Sequence, residues 1–150
     1  MEENLDILKH SALFAGFNPG QLEAFNRQAE IRDYQQGEVI VEEGTPGDRF
    51  FVLMKGEVTI EKATPEGYPR PLTSLTRPGD FFGEMAVVDI EPRSATARAF
   101  RNTQVVIFTK EALVRIFDRH PELMTLVAFN IARVLSQRLR SIDEDLAALS

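Results

Sequence analysis

The stretch from Arg77 to Ala99 holds the side chains whose types and spacing could do chemistry. Gly83 lets the backbone approach a ligand closely, and a predicted helical turn over residues 84–88 would offer exposed N–H groups to an anion. Arg93 follows Glu84 by nine residues, so the chain can bring it back beside Glu84. There its permanently charged guanidinium could donate two parallel hydrogen bonds to a phosphate. As a carboxylate, Glu84 only accepts hydrogen bonds, so beside an anion it suits the hydroxyls of a sugar. The segment therefore suggests a nucleotide site.

Each of these residues also has an ordinary structural explanation. An arginine and a glutamate close together form a solvated ion pair more often than a ligand clamp. Phe81 and Phe82 fit a hydrophobic core better than a platform for stacking on a base, and the small residues of the segment could simply fill a strand. Taken singly, the dipeptide Gly83-Glu84 and the pairing of Glu84 with Arg93 each predict function weakly. The residues alone therefore leave both explanations open.

The segments on either side predict short strands joined by tight turns. Turn residues recur at short, regular intervals after Glu30, at Gly37, residues 44–48, Gly56, residues 65–67 and residues 77–80. Val58 and Ile60 alternate with polar residues, which indicates a half-buried strand, whereas Val105 to Phe108 is a continuous apolar run typical of a strand buried on both faces. The pattern predicts a β sandwich or barrel.

Both ends of the chain predict helices. Leu5 and Leu8 recur at helical spacing, and Asn18-Pro19 supplies a cap and a first-turn residue for a second short helix. Near the other end, one helix is predicted over residues 111–117. A longer one follows, because residues 122–149 contain neither glycine nor proline.

The last predicted helix has an apolar seam. Its members are spaced 3, 4, 3, 4 and 3 residues apart, as in a coiled coil: Ala132, Leu135, Leu139, Ile142, Leu146 and Leu149. The first turns, residues 123–131, are expected to pack on the strands of the same chain. The later turns would project beyond one small domain, so they predict a homodimer seam.

Length, charge and composition limit the classes of protein to which this chain can belong. The length of 150 residues suits a single domain, and the net charge of -6 argues against a surface that grips nucleic acid or anionic lipid. The chain has no cysteine, which excludes disulfides and thiolate chemistry and favours the reducing cytoplasm. No signal peptide is evident, and no apolar stretch approaches the ~18 residues that span a bilayer. We therefore expect a soluble, cytoplasmic protein that binds neither nucleic acid nor membrane.

The segment from Phe82 to Ala99 resembles the phosphate-binding cassette of the cyclic nucleotide-binding domain family. The family pattern is F-G-E-[LM]-A-L, a few variable residues, and then P-R-[AST]-A-[ST]-x-x-A. The matching residues are Phe82, Gly83, Glu84, Met85, Ala86, Pro92, Arg93, Ser94, Ala95, Thr96 and Ala99. Val87 is a mild departure from the usual leucine. The likeness extends over nearly the whole chain.

The resemblance implies a mainly β fold with flanking helices, namely an eight-stranded jelly-roll β-barrel with N-terminal helices and a long C-terminal helix. It implies one domain over residues 1–150, made of N-terminal helices (1–29), the barrel (30–109) with the cassette (81–99), and C-terminal helices (110–150). Transcription regulators of this family continue into a helix-turn-helix, whereas this sequence stops at Ser150. The expectation is a sensor domain whose effector is missing or separate.

The resemblance also implies roles for individual residues. Arg93 would contact the cyclic phosphate and Glu84 the ribose 2′-hydroxyl. The other predicted contacts in the cassette are Phe82, Gly83, Met85, Ala86, Ser94 and Ala95. Ile60 and Leu72 align with apolar residues that wall the base. Arg138 aligns near the base edge, where it would stack on or hydrogen-bond to a purine, or else remain solvated.

These features predict a non-enzymatic receptor that needs no cofactor or metal, prefers cyclic AMP and transmits binding through its last helices. Ser94 leaves cyclic GMP as an alternative, because its hydroxyl could receive the 2-amino group of guanine. A metalloenzyme of the cupin kind is disfavoured, because His10 and His120 lie outside the barrel segment. A ligand-free structural or dimerisation barrel is the remaining class.

Overall fold

The computed structural model of the chain describes residues 2–84 and 93–149. Within them, helices frame a central set of strands in the order that the sequence predicts. Met85 and Ala86 of the predicted site lie outside the described residues, as does nearly all of the predicted helical turn over residues 84–88.

Helices stand at both ends of the chain. Those described are α1 (Glu2–His10), α2 (Pro19–Asn26), α3 (Lys110–Arg119) and α4 (Pro121–Ala148), with a short 3-10 turn at Ala12–Phe14. The capping signal is confirmed, because Asn18 and Gln21 bond reciprocally at the start of α2. The Thr109 hydroxyl accepts a hydrogen bond from the Ala112 N–H and so begins α3. None of the described helices combines the length and apolar character needed to cross a membrane.

The described strands form two antiparallel sheets. They are β1 (Glu30–Tyr34), β2 (Val39–Val41), β3 (Arg49–Lys55), β4 (Val58–Lys62), β5 (Arg70–Leu75), β6 (Phe81–Phe82), β7 (Thr96–Ala99) and β8 (Thr103–Thr109). The first sheet has the order β1-β8-β3-β6 and the second β2-β7-β4-β5. Eight strands in two facing sheets are consistent with the predicted jelly roll.

The prediction of a closed barrel needs correction. A barrel requires hydrogen bonding that runs from strand to strand all the way round. Among the described residues, strands pair only within their own four-stranded sheet. The two sheets are instead held together by side chains, and residues from both contribute to one apolar cluster, including Phe51 and Ile107 of the first sheet and Val58 and Ala97 of the second.

The central strands of the first sheet, β3 and β8, are buried on both faces. Phe50 and Phe108 pack in a cluster with residues of the helices, whereas Phe51 and Ile107 belong to the cluster between the sheets. All four residues from Val105 to Phe108 are buried, which confirms the predicted double burial. The first sheet thus packs against the helices with one face and against the second sheet with the other.

The helix α4 packs on the rest of the chain along its first turns, whereas its later turns are largely exposed. Its buried side chains are Leu123, Val127, Asn130 and Ile131, within the stretch predicted to pack on the strands. The Asn130 Nδ2 donates to the carbonyl oxygens of Leu13 at 2.9 Å and Ala15 at 3.0 Å, which ties α4 to the 3-10 turn. Residues 136–149 are exposed.

The predicted seam of α4 divides at the same point. Leu135 packs against the core, whereas Leu139 and Ile142 are 60% and 55% exposed. Leu146 and Leu149 are also exposed. The outer part of α4 therefore presents apolar side chains to solvent in a single copy of the chain.

Candidate functional site

The candidate site is built where β6 ends and the chain turns. Phe82 of β6 pairs with Phe51 of β3, and the two buried rings stack with centroids 4.8 Å apart. Gly83 follows with a φ of +76°, a conformation that glycine adopts without steric cost. A Cβ at this position would lie 2.7 Å from the Nη1 atom of Arg93. The missing side chain therefore makes room for the Arg93 guanidinium, where the sequence analysis expected the approach of a ligand.

Arg93 is held through both its backbone and its side chain. Its N–H donates to the Thr45 carbonyl and its own carbonyl accepts from the Gly44 N–H, each at 2.8 Å. Its Nη1 donates to the Gly83 carbonyl at 3.2 Å and its Nη2 to the Arg49 carbonyl at 2.7 Å. These side-chain bonds use two of the five N–H donors of a guanidinium. The turn before β3 thus fixes the backbone of Arg93, and two backbone carbonyls fix the position of its guanidinium.

Two carboxylates and a second arginine act electrostatically on Arg93. Burial lowers the pKa of the Arg93 guanidinium, Arg49 adds to that lowering, and the negative charges of Asp48 and then Glu84 oppose it. The Arg49 Nε donates to Asp48 at 3.1 Å, and this hydrogen bond is the main cause that lowers the pKa of Asp48. Because arginine remains protonated in proteins, Arg93 supplies a fixed positive charge in a half-buried place.

Glu84 is the buried acid of the cluster, only 6% exposed. Its Oε1 accepts a hydrogen bond from the Nη1 of Arg138 at 3.3 Å, which is also an ion pair. The Nη2 of Arg138 donates to the Phe81 carbonyl at 3.3 Å, and the guanidinium lies 5.3 Å from the centroid of the Phe81 ring. The structure thus brings Glu84 and Arg138 together, although 54 residues separate them.

The other predicted contacts differ in exposure. Ser94 is exposed, and its carbonyl accepts a hydrogen bond from the Lys62 Nζ at 2.6 Å. Ala95 is half-buried. Ile60 is half-buried and packs against the cluster between the sheets, whereas Leu72 on β5 is 57% exposed. Of these two apolar side chains, Ile60 is thus partly covered and Leu72 is open to solvent.

Two residues that the sequence did not predict, Asp48 and Arg49, also contribute to the site. Arg49 acts through its carbonyl oxygen, which every residue type carries, so no side-chain signal marks it. Asp48 ends the predicted turn over residues 44–48, and its charge acts on Arg93. An acid directly before an apolar strand is a signal that could have indicated a partner for an arginine.

The cluster offers a cation and a carboxylate that suit a ligand with a phosphate and a hydroxyl group. The Arg93 guanidinium suits a phosphate, and the Glu84 carboxylate suits a hydroxyl donor beside it. In the described part of the chain, no group of three or more His, Asp or Glu side chains is placed to hold a metal ion. The chemistry that these side chains offer is charge pairing and hydrogen bonding.

Comparison with known families finds a match that covers the described strands, apart from Glu30 at the start of β1. Residues 31–120 match the family model described as the cyclic nucleotide-binding domain. This range begins within β1 and ends after α3, so it includes Gly83, Glu84 and Arg93 but not Arg138. The site residue contributed by α4 thus lies outside the matched range.

Individual relatives agree with the family match. The chain is 31% identical over 144 residues to the CRP-like cAMP-activated global transcriptional regulator of Mycobacterium tuberculosis, covering 96% of this chain and 62% of the relative. It is 35% identical over 86 residues to the cAMP-dependent protein kinase regulatory subunit of Dictyostelium discoideum, covering 56% of this chain and 26% of the relative. The chain thus spans less than two thirds of either relative.

A solved structure shows the same fold. The crystal structure of a cyclic nucleotide-binding domain from Methylobacillus flagellatus KT matches with a TM-score of 0.84 at 24% sequence identity. The match covers 99% of this chain and 83% of that one, so it includes the helices as well as the sheets.

Proposed function

The chain belongs to the cyclic nucleotide-binding domain family, and we propose that it is a non-enzymatic receptor for a 3′,5′-cyclic nucleotide, preferably cyclic AMP. The observation that carries this proposal is the Arg93 guanidinium, aimed by the carbonyls of Gly83 and Arg49 at 3.2 and 2.7 Å and accompanied by the buried carboxylate of Glu84. A fixed cation with a hydrogen-bond acceptor beside it matches a phosphate and a sugar hydroxyl of one ligand.

In this proposal, Arg93 binds the cyclic phosphate and Glu84 accepts a hydrogen bond from the ribose 2′-hydroxyl. The rest of the phosphate site comes from Phe82, Gly83, Met85, Ala86, Ser94 and Ala95. Ile60 and Leu72 wall the base, and Arg138 stands at the same site from α4. The exposure of Leu72 supports its role, because covering an apolar side chain with a base removes apolar surface from water, which is favourable.

Two observations bear on which purine the site prefers. The names of the mycobacterial and Dictyostelium relatives both specify cAMP, which supports cyclic AMP. Ser94 is exposed, so its hydroxyl is accessible to a ligand and keeps a cyclic GMP receptor as the alternative. Guanine carries a 2-amino group that adenine lacks, and its N–H could donate a hydrogen bond to such a hydroxyl.

The output of binding runs through α4. The early turns of this helix are fixed in the core, and its Arg138 contacts Glu84 in the site. A ligand shifts the equilibrium between two helix positions by its differential affinity for them. The exposed seam from Leu139 to Leu149 then pairs with a second copy in a homodimer, and an effector protein responds to the change.

Calorimetric titration with cyclic AMP, cyclic GMP and linear 5′-AMP tests this function. Cyclic AMP should bind most tightly, and Arg93→Leu should weaken it at least about tenfold, because a hydrogen bond to a charged group contributes roughly 1.5–3 kcal/mol. Arg101→Leu is the matched control, since Arg101 is an exposed arginine paired with Glu57 away from the site. Unchanged affinity in Arg93→Leu would contradict the phosphate site, and a cyclic GMP preference would select the alternative.

A further inference from the structure

Lys62, the last residue of β4, bonds to the backbone of the candidate site. Its Nζ donates to the Ser94 carbonyl at 2.6 Å and lies 3.8 Å from the Oε2 of Glu43. Glu43 is itself fixed, because its Oε1 accepts from the Ala63 N–H and its own N–H donates to the Thr96 hydroxyl, each at 3.0 Å. A carboxylate with a defined place thus keeps the ammonium beside the Ser94 carbonyl.

The preceding carbonyl of the chain, that of Arg93, is held by a neighbouring donor. It accepts a hydrogen bond at 2.8 Å from the N–H of Gly44, the residue that follows Glu43. The carbonyls of Arg93 and Ser94 are therefore bonded by two donors that meet at Glu43. One of these donors is backbone, whereas the other is a lysine side chain that is 50% exposed.

These two bonds also orient two N–H groups. A trans peptide unit is planar, so its carbonyl and its N–H point in opposite directions. Holding the Arg93 carbonyl orients the Ser94 N–H, and holding the Ser94 carbonyl orients the Ala95 N–H. Neither N–H donates to another residue in the part of the chain that the structure describes. Consecutive free N–H groups of this kind suit an anion, and here they directly follow the arginine that suits a phosphate.

We infer that Lys62 is a positioning residue for the phosphate: it holds the Ser94–Ala95 peptide unit so that the Ala95 N–H donates to the phosphate that Arg93 binds. Lys62 itself does not touch the ligand. This inference rests on the proposed cyclic nucleotide site. A lysine that acted only through its charge would attract the phosphate from a distance, would be screened by salt and would not affect the Ala95 N–H.

Proton–nitrogen NMR of the full chain with saturating cyclic AMP tests the inference. In wild type the Ala95 amide proton should move downfield on binding, because a hydrogen bond to a phosphate oxygen is charge-assisted and short. In Lys62→Met this movement should fall to about half or less. Calorimetry should show a loss of affinity of about three- to tenfold, as expected for one weakened hydrogen bond. Lys62→Arg keeps a donor for the Ser94 carbonyl and should restore both values.

Two further variants separate positioning from charge and folding. Lys55→Met removes the same charge from an exposed lysine at the end of β3 and should change neither value. Glu43→Gln keeps an acceptor for the Ala63 N–H but removes the charge beside Lys62, so it should change both values in the same direction as Lys62→Met. Melting temperatures without nucleotide show whether each variant is folded. If Lys62→Met is not, Glu43→Gln provides the comparison.

The other outcomes contradict the inference in different ways. A wild-type Ala95 amide that stays in place while cyclic AMP binds tightly would show that this N–H is not a ligand group. An unchanged Ala95 movement in Lys62→Met, with a loss of affinity that disappears at high salt, would show that Lys62 acts through its charge. Either result would overturn the inference and leave the proposed function intact. Failure of wild type to bind a cyclic nucleotide would overturn both.

Discussion

The Nη1 atom of Arg93 donates a hydrogen bond to the carbonyl oxygen of Gly83 at 3.2 Å. The same nitrogen would lie 2.7 Å from a Cβ built on Gly83. The turn after β6 and the Arg93 guanidinium therefore depend on each other, because the guanidinium occupies space that a side chain at Gly83 would fill.

Gly83→Ala should disrupt this unit. We expect the affinity for cyclic AMP to fall at least about tenfold, because the new methyl group would displace the Arg93 guanidinium. Gly67→Ala is the control: Gly67 also has a positive φ, of +96°, but nothing lies within 4 Å of its Cβ position. Both variants carry the backbone cost of about 1–2 kcal/mol. Calorimetry and thermal melts check the result, and equal affinities in the two variants would contradict the prediction.

Arg93→Lys should bind cyclic AMP nearly as poorly as Arg93→Leu. A lysine ammonium is a point charge and lacks the planar fork that donates to the Gly83 and Arg49 carbonyls while presenting further N–H groups to a phosphate. We expect a loss of at least about tenfold by calorimetry. Arg101→Lys should bind as wild type does. Wild-type affinity in Arg93→Lys would show that charge alone is sufficient.

Asn130→Ala should lower the stability of the fold. The substitution leaves the carbonyls of Leu13 and Ala15 without their donor, but it also removes the Asn130 Oδ1, which has no hydrogen-bond partner among the described residues. The net loss should be about 1–2 kcal/mol, seen as a fall in melting temperature of about 2–8 °C. Ser136→Ala, at an exposed position of the same helix, should change it little.

Asn130→Asp should cost more than Asn130→Ala at neutral pH. It places carboxylate oxygens, which only accept hydrogen bonds, against the Leu13 and Ala15 carbonyls. Urea unfolding of both variants checks the order. If the aspartate variant proved the more stable, the amide would not be the tie between α4 and the 3-10 turn.

The double variant Leu139→Glu, Ile142→Glu should be monomeric where wild type is dimeric. Both side chains are more than half exposed in one copy, at 60% and 55%, so their replacement disturbs a seam between copies rather than the core. Sedimentation equilibrium measures the mass of each. Val114→Glu, which changes an equally exposed apolar residue on α3, should remain dimeric. A monomeric wild type would remove the predicted seam.

Local signals predicted most of the elements correctly. Asn18 before Pro19 predicted the start of α2, and the run from Val105 to Phe108 predicted a fully buried strand, because capping and apolar patterning act over a few residues. Strand pairing is different in kind. Glu30 of β1 pairs with Ile107 of β8, so the partner lies far along the chain. The predicted jelly roll agrees with the two sheets, but local patterns could not decide whether the sheets close into a barrel, because closure depends on such distant pairings.

The candidate site divides in the same way. By itself, the sequence determined which residue types stand together between Phe82 and Ala99, and their resemblance to a known cassette identified the family. Only the tertiary structure decided their partners: Arg93 bonds carbonyls 10 and 44 residues away, and Arg138 bonds Glu84 across 54 residues. The physical reason is that a hydrogen bond acts over about 3 Å, whatever the separation in sequence. Which groups come that close depends on how the sheets and α4 pack, and packing is a property of the whole chain.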